Sequence, residues 1–174
     1  MQRVVITLLL ISSLSCHDQG SEIPDGRISS DEEFFRLISE SDPFSAYVLF
    51  PGVDSVTSGT LNGSTAHQPL VRVKMNATAL SALRGDTLPS GTVFPEGSIV
   101  FKEILSGNTT QLYAAIYKDT DNPLAGNGWL WAEYEPDGTP FISVRGAGIQ
   151  CTGCHAREQG PQHDFVRTFE RQHP

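Results

Sequence analysis

The sequence predicts an α+β fold, mostly β, in which an antiparallel sheet carries a few short helices. Three observations predict it: segments of strand-like composition follow one another, short turn signals separate them, and helical periodicity is confined to two brief capped stretches. The first helix opens at Ser30-Asp31-Glu32-Glu33, a capping box, runs through Phe34, Phe35, Leu37 and Ile38, and is stopped by Asp42-Pro43. Leu70-Val71-Arg72-Val73-Lys74-Met75 then alternates as a half-buried strand should. Asn76 caps a second helix over 78–83, which Gly85 closes. Residues 98–105, 111–117 and 128–134 read as three further strands, joined by Ser106-Gly107-Asn108 and by a loop over 119–127. Glu135-Pro136-Asp137-Gly138 is a turn leading into a strand over 141–144. Strands that follow one another through short turns pair antiparallel, and the C-terminal segment arrives last as a loop with at least one helical turn.

The 174 residues divide into a leader, a tether and one domain. Residues 1–15 have the layout of a secretory signal: Arg3, an apolar run over 4–11 too short to span a bilayer, then small residues up to Cys16. Ser13-Leu14-Ser15-Cys16 also resembles a lipobox, in which Cys16 is lipidated and becomes the first mature residue; simple cleavage nearby is the alternative. Residues 16–28 are polar and read as a tether, and 29–174 form the folded domain. Export places the expected location in the periplasm or cell envelope, with any membrane attachment through Cys16. Without Arg3, 11 basic side chains face 20 acidic ones, a net charge of −9. That balance excludes recognition of nucleic acid or anionic lipid by charge, and suits either solubility or a basic redox partner protein.

The most specific motif is Cys151-Thr152-Gly153-Cys154-His155, which holds two of the three cysteines. Cys-x-x-Cys-His attaches a c-type haem: two thiols at this spacing reach the two vinyl groups of one porphyrin, and the following imidazole ligates the iron. A structural zinc site needs a second ligand pair, for which only His155 and His163 are near. A thioredoxin-like dithiol follows a strand in a βαβ unit, unlike the Gly146-Ala147-Gly148 approach seen here. The expected cofactor is one covalent haem c, bound by Cys151, Cys154 and His155 with His155 on the metal. Export and haem c attachment belong to the same side of the bacterial inner membrane, so the two signals agree.

Further segments occur in a distinctive order: Leu49-Phe50-Pro51-Gly52, His67, Val71-Arg72-Val73-Lys74-Met75-Asn76 with Ala79 and Leu83, and Pro95-Glu96-Gly97-Ser98-Ile99-Val100-Phe101-Lys102-Glu103. Lys118, Gly128-Trp129-Leu130-Trp131, the Cys151 to His155 run and Asp164-Phe165-Val166 follow. Over about residues 45–169 this pattern resembles the cytochrome P-460 family. The resemblance implies a mostly β fold, usually homodimeric, around one haem held by two thioethers and a proximal histidine. In the namesake members a lysine of the strand motif is also bonded to the porphyrin rim, and the matching residue is Lys102. Those members oxidise hydroxylamine, whereas the related cytochromes c′-β lack the cross-link and bind nitric oxide or carbon monoxide.

The residues themselves leave the role of Lys102 open. Alternation along 98–105 puts Ile99, Phe101, Glu103 and Leu105 on one face and Val100, Lys102 and Ile104 on the other. A lysine between apolar neighbours is either engaged, as at a haem edge, or guards an edge strand against aggregation. Met75 is expected in the core rather than on the iron. His17 and His173 fall in tails, while His67 and His163 either bond a propionate or a backbone group or sit at the surface. Phe50, Phe94, Phe101, Trp129 and Trp131 are the pool for a haem wall. Substrate oxidation also releases protons, which favours a nearby carboxylate. Glu103 points away from Lys102; Glu133 shares the Trp129 and Trp131 face, and the alternative for it is a solvated position. No catalytic acid or base is assigned. The expected function is binding of small nitrogen ligands at a five-coordinate iron with redox chemistry on hydroxylamine or a related molecule. Nitric oxide or carbon monoxide capture or sensing, and simple electron transfer, are the alternatives.

Overall fold

In the computed structural model, which describes residues 27–173, seven strands form one antiparallel sheet. They are β1 (Val48–Leu49), β2 (Thr57–Ser58), β3 (Leu70–Met75), β4 (Ile99–Ser106), β5 (Thr109–Lys118), β6 (Trp129–Tyr134) and β7 (Pro140–Ile142). Their order is β1-β3-β4-β5-β6-β7, with β2 pairing beside the start of β3. The α+β, mostly β expectation therefore holds for the polypeptide. The leader, Cys16 and most of the tether lie outside the described residues. Among the described residues no helix is long and apolar enough to cross a membrane.

Sequence alternation sets which face each side chain takes. In β3, Val71, Val73 and Met75 are buried while Arg72 and Lys74 turn to the other face, where both approach Glu103 of β4 at 2.9 and 3.6 Å. β4 feeds two cores: Val100 and Ile104 enter one, Ile99 and Phe101 the other. Both faces of the sheet are covered, which explains why β6, Trp129-Leu130-Trp131-Ala132-Glu133-Tyr134, is buried along its whole length.

The first helix, α1 (Asp31–Arg36), is capped by the Ser30 hydroxyl, which accepts from Glu33 N at 3.2 Å. Glu33 reaches back one residue further than in a standard box, to Ser29 N and Oγ at 2.7 and 2.8 Å. A π-helical turn, Leu37–Ser41, then carries the chain to Pro43. Phe34 and Ile38 from this segment are fully buried in the second core. Asn76 caps α2 (Ala77–Ser81), shorter than the expected 78–83 segment, and its Oδ1 also accepts from Ile99 N, tying the cap to β4. The expected strand over 141–144 ends at Ile142. There the Asp31 carboxylate accepts from Ser143 Oγ at 2.6 Å and Val144 N at 2.7 Å, and the chain turns into a 3₁₀ segment. β1 and β2 have two residues each, too few to show a period.

Candidate functional site

Antiparallel register places Lys102 of β4 opposite Ala114 of β5, and Ala114 opposite Glu133 of β6. Because side chains alternate, the three share one face and form a row across the sheet; Val100, Ile116 and Trp131 form the next row. These two rows floor a cavity of about 280 Å³. Ligand pockets typically measure roughly 300–1,000 Å³. The rest of the wall comes from residues 59–67, from Phe141 and Ile142 of β7, and from the C-terminal segment, including Cys151, Cys154, His155, Arg167 and Arg171.

The C-terminal segment presents its chemistry as one helical turn, α3 (Thr152–His155). Positions i, i+3 and i+4 of such a turn share a face, so Cys151, Cys154 and His155 all reach the cavity. Neither thiol is in a disulfide. Burial raises the Cys151 thiol to about 11, and Cys154 Sγ accepts from Arg167 at 3.1 Å. Arg167 is buried and is held by Glu158 at 2.5 Å and Glu170 at 2.7 Å.

His155 is fixed by its neighbours. Its Nδ1 lies 2.7 Å from the carbonyl of Phe165, and since a carbonyl only accepts, Nδ1 carries the hydrogen and Nε2 keeps its lone pair. The ring meets Trp131 edge-on at 4.7 Å. Burial, with Lys102 adding repulsion, pushes its pKa down to about 3, so the imidazole is neutral, the form that ligates metal. Phe165 is positioned in turn by Asp164. The Asp164 carboxylate accepts from Phe94 N and from buried Lys118, and its carbonyl accepts from Trp129 Nε1 at 2.8 Å. Gly160 lets the following turn close onto α3, since a Cβ there would stand 1.9 Å from the His155 carbonyl.

On the sheet side, Lys102 Nζ donates to His67 Nδ1 at 3.0 Å, and His67 Nε2 donates to Glu133 Oε1 at 3.2 Å. Burial is the main cause that lowers Lys102 from 10.5 to about 8, and the Lys102 charge followed by burial lowers His67. A depressed lysine pKa has a definite linkage sign. Between about pH 8 and 10.5 the unfolded chain holds a proton that the folded chain has released, so stability rises with pH there. Unfolding by urea at pH 7.5 and 9.5 should show a gain that disappears in Lys102→Met. An equal pH response in both proteins would mean that Lys102 is solvated. Tyr47 and Tyr134, both raised by burial, act in the opposite direction near and above pH 10, and Cys151, raised to about 11, does so from about pH 9; the parent and Lys102→Met share these groups, so the difference between them reports the lysine.

The cavity thus gathers Lys102, Cys151, Cys154 and His155, the four residues singled out from sequence. β4 lies between β3 and β5, so Lys102 is not an edge-strand guard. His67 is not a surface histidine and Glu133, 8% exposed, is not solvated. His163 stacks on Phe169 at 4.5 Å and does not line the cavity. Of the five aromatics proposed for a haem wall only Trp131 lines it; Phe101 faces the second core, and Phe50, Phe94 and Trp129 pack beneath. Met75 is core, as expected. Arg167, Arg171 and Phe141 were not foreseen from sequence.

Known protein families and curated proteins give no match to this chain. The resemblance to cytochrome P-460 is therefore carried by the quoted motifs alone.

A porphyrin fits the residues present: two unpaired thiols and a neutral imidazole with a free Nε2 converge on one cavity. Among the described residues no three His, Cys, Asp or Glu side chains cluster to hold a bare metal ion. A haem asks less of the protein, since the porphyrin supplies four nitrogens and one imidazole suffices.

Proposed function

We propose that this chain is an exported mono-haem c-type cytochrome of the P-460 type that performs redox chemistry on hydroxylamine or a related small nitrogen compound. The observation that carries the reading is the convergence of the Cys151, Cys154 and His155 turn with Lys102, remote from it in sequence, on one cavity that also holds the His67–Glu133 pair. Cys151 and Cys154 would hold the porphyrin through thioethers, and His155 Nε2 would ligate the iron. The bound haem supplies an acceptor for electrons, which pass on to a redox partner protein.

The chain's own residues supply the rest. His67 and Glu133 form a hydrogen-bonded relay that can take protons lost by an oxidised substrate, and Lys102 holds the outer end of that relay. Val100, Ala114, Ile116 and Trp131 give the site an apolar floor that limits water. Both ring nitrogens of His67 are already engaged, and Met75 is packed in the core, which disfavours either as a sixth ligand and with it simple electron transfer. Nitric oxide or carbon monoxide capture is the second reading, favoured by the same apolar floor.

The optical spectrum of protein matured in a haem c-competent periplasm tests the proposal. We expect coloured protein, heavier than the bare chain, with a reduced Soret band displaced far to the red by the Lys102 bond. That displacement should be lost in Lys102→Ala. An ordinary five-coordinate spectrum unchanged by the substitution would remove the cross-link and leave gas capture; colourless protein of bare-chain mass would overturn the haem reading altogether. In the coloured protein, Glu133→Gln should slow hydroxylamine oxidation while leaving nitric oxide binding intact. Equal loss of both would show that Glu133 shapes the cavity rather than taking protons.

A further inference from the structure

Three cationic side chains line the cavity, and they differ in how their charge is met. Arg167 has two carboxylates, Glu158 and Glu170. Lys102 is linked through His67 to Glu133. Arg171 has no carboxylate within salt-bridge distance among the described residues. The nearest in sequence, Glu170, is committed: its oxygens accept from Arg167 Nε at 2.8 Å, Arg167 NH2 at 2.7 Å and Asn62 Nδ2 at 2.7 Å.

Arg171 is nevertheless held in place. Its NH1 donates to the carbonyl of Ser58 and, at 3.4 Å, to that of Thr60; NH2 reaches the carbonyl of Gly59 at 3.5 Å. Nε is buried and donates to nothing. Backbone carbonyls orient a guanidinium but do not neutralise it, and a half-buried charge without a counter-ion is costly. The lowered pKa of Arg171, caused by burial and then by Arg167, reflects the same deficit. A guanidinium that has no carboxylate partner among the described residues and is fixed at a cavity wall can act as a carboxylate receptor, since its planar fork binds that group through paired hydrogen bonds.

We infer that Arg171 supplies the cation for a carboxylate brought into this cavity by its ligand, namely a propionate of the bound porphyrin. The inference rests on the haem reading and assigns one further residue to it. With Cys151, Cys154 and His155 holding the macrocycle, Arg171 would supply the counter-ion for one of its acidic substituents.

The test uses the full-length matured holoprotein, with Arg171→Gln and Arg171→Lys beside the parent. In Arg171→Gln the haem should remain covalently attached, since its thioethers are untouched. Its midpoint potential should fall, because a cation near the iron has been removed. The propionate bending band in the resonance Raman spectrum should shift as a hydrogen bond is lost. Arg171→Lys should recover most of the potential while leaving the Raman band altered, since it restores charge without the fork; this variant also carries the test should the glutamine protein fail to mature. Coloured protein with unchanged potential and Raman band in both variants would overturn the role of Arg171 and leave the haem reading standing. A parent potential that responds to added acetate or nitrite, and loses that response in Arg171→Gln, would mean that a free small anion takes the site, again overturning the propionate assignment. Colourless parent protein would overturn both.

Discussion

Replacing Asp164 by asparagine should cost about 3–5 kcal/mol of folding stability, the range expected when one partner of a buried ion pair is removed. Lys118 Nζ lies 2.9 Å from Asp164 Oδ2, and each side chain is only 5% exposed. The ammonium also sits over the Trp129 ring at 5.0 Å. Asparagine keeps the shape and tolerates the left-handed backbone at this position (φ 51°), so the substitution removes the charge together with one of the two oxygens that accept from Phe94 N and Lys118 Nζ. Because small domains are stable by only about 5–15 kcal/mol, the loss would be a large share of the total. A urea titration read by tryptophan fluorescence measures it. The companion Lys118→Met/Asp164→Asn should recover much of the deficit, since no uncompensated charge is then left behind. A single-variant loss below about 1 kcal/mol, or a double variant worse than the sum of its parts, would show that the pair is not the strut described here. The effect has a functional extension. Asp164 fixes Phe165, whose carbonyl sets the tautomer of His155, so a loosened Asp164 frees the imidazole even in molecules that stay folded.

Much of this architecture was legible in the sequence, for physical reasons that also mark where legibility stops. Period-two alternation in Leu70–Met75 and along β4 is a local property, and it gave both the strands and the face on which Lys102 stands. The Cys151 to His155 turn was readable because ligand spacing within one helical turn is local too. The partnership of Lys102, His67 and Glu133 was not, since it depends on register across three strands and on where the loop bearing His67 lands; alternation alone favoured a solvated position for Glu133, which the structure buries instead. Aromatic residues misled for a related reason. Phe50, Phe94 and Trp129 do lie on the cavity side of the sheet, but a core must be filled beneath a cavity before anything lines it. Arg171 carries no local signal at all, for its meaning comes from carboxylates that lie elsewhere or are already taken.

Gly148→Ala should lose about 2–5 kcal/mol of stability and, with it, the geometry of the thiol turn. The backbone there has φ 68°, where a Cβ costs about 1–2 kcal/mol. The new methyl carbon would also stand 2.3 Å from Trp131 Cδ1 and 2.8 Å from its Nε1, an overlap of the kind that costs about 1–3 kcal/mol in a packed core. Trp131 cannot easily retreat: its indole donates to the Gly126 carbonyl at 2.8 Å and its other side meets His155. The strain therefore passes either to the turn or to the indole. If the turn lifts, the N–H groups of Cys151 and Thr152 both lose the Gly148 carbonyl, which they reach at 2.8 Å. If the indole rotates, His155 loses its edge contact. In both cases the cysteines and the imidazole cease to converge, so the yield of covalently coloured protein should drop along with the denaturation midpoint. Gly146 is the control in the same segment. It has ordinary backbone angles and open space where a Cβ would go, so Gly146→Ala should stay within about 0.5 kcal/mol of the parent. Equal behaviour of the two variants would mean that the Trp131 contact does not set the approach of α3 to the sheet.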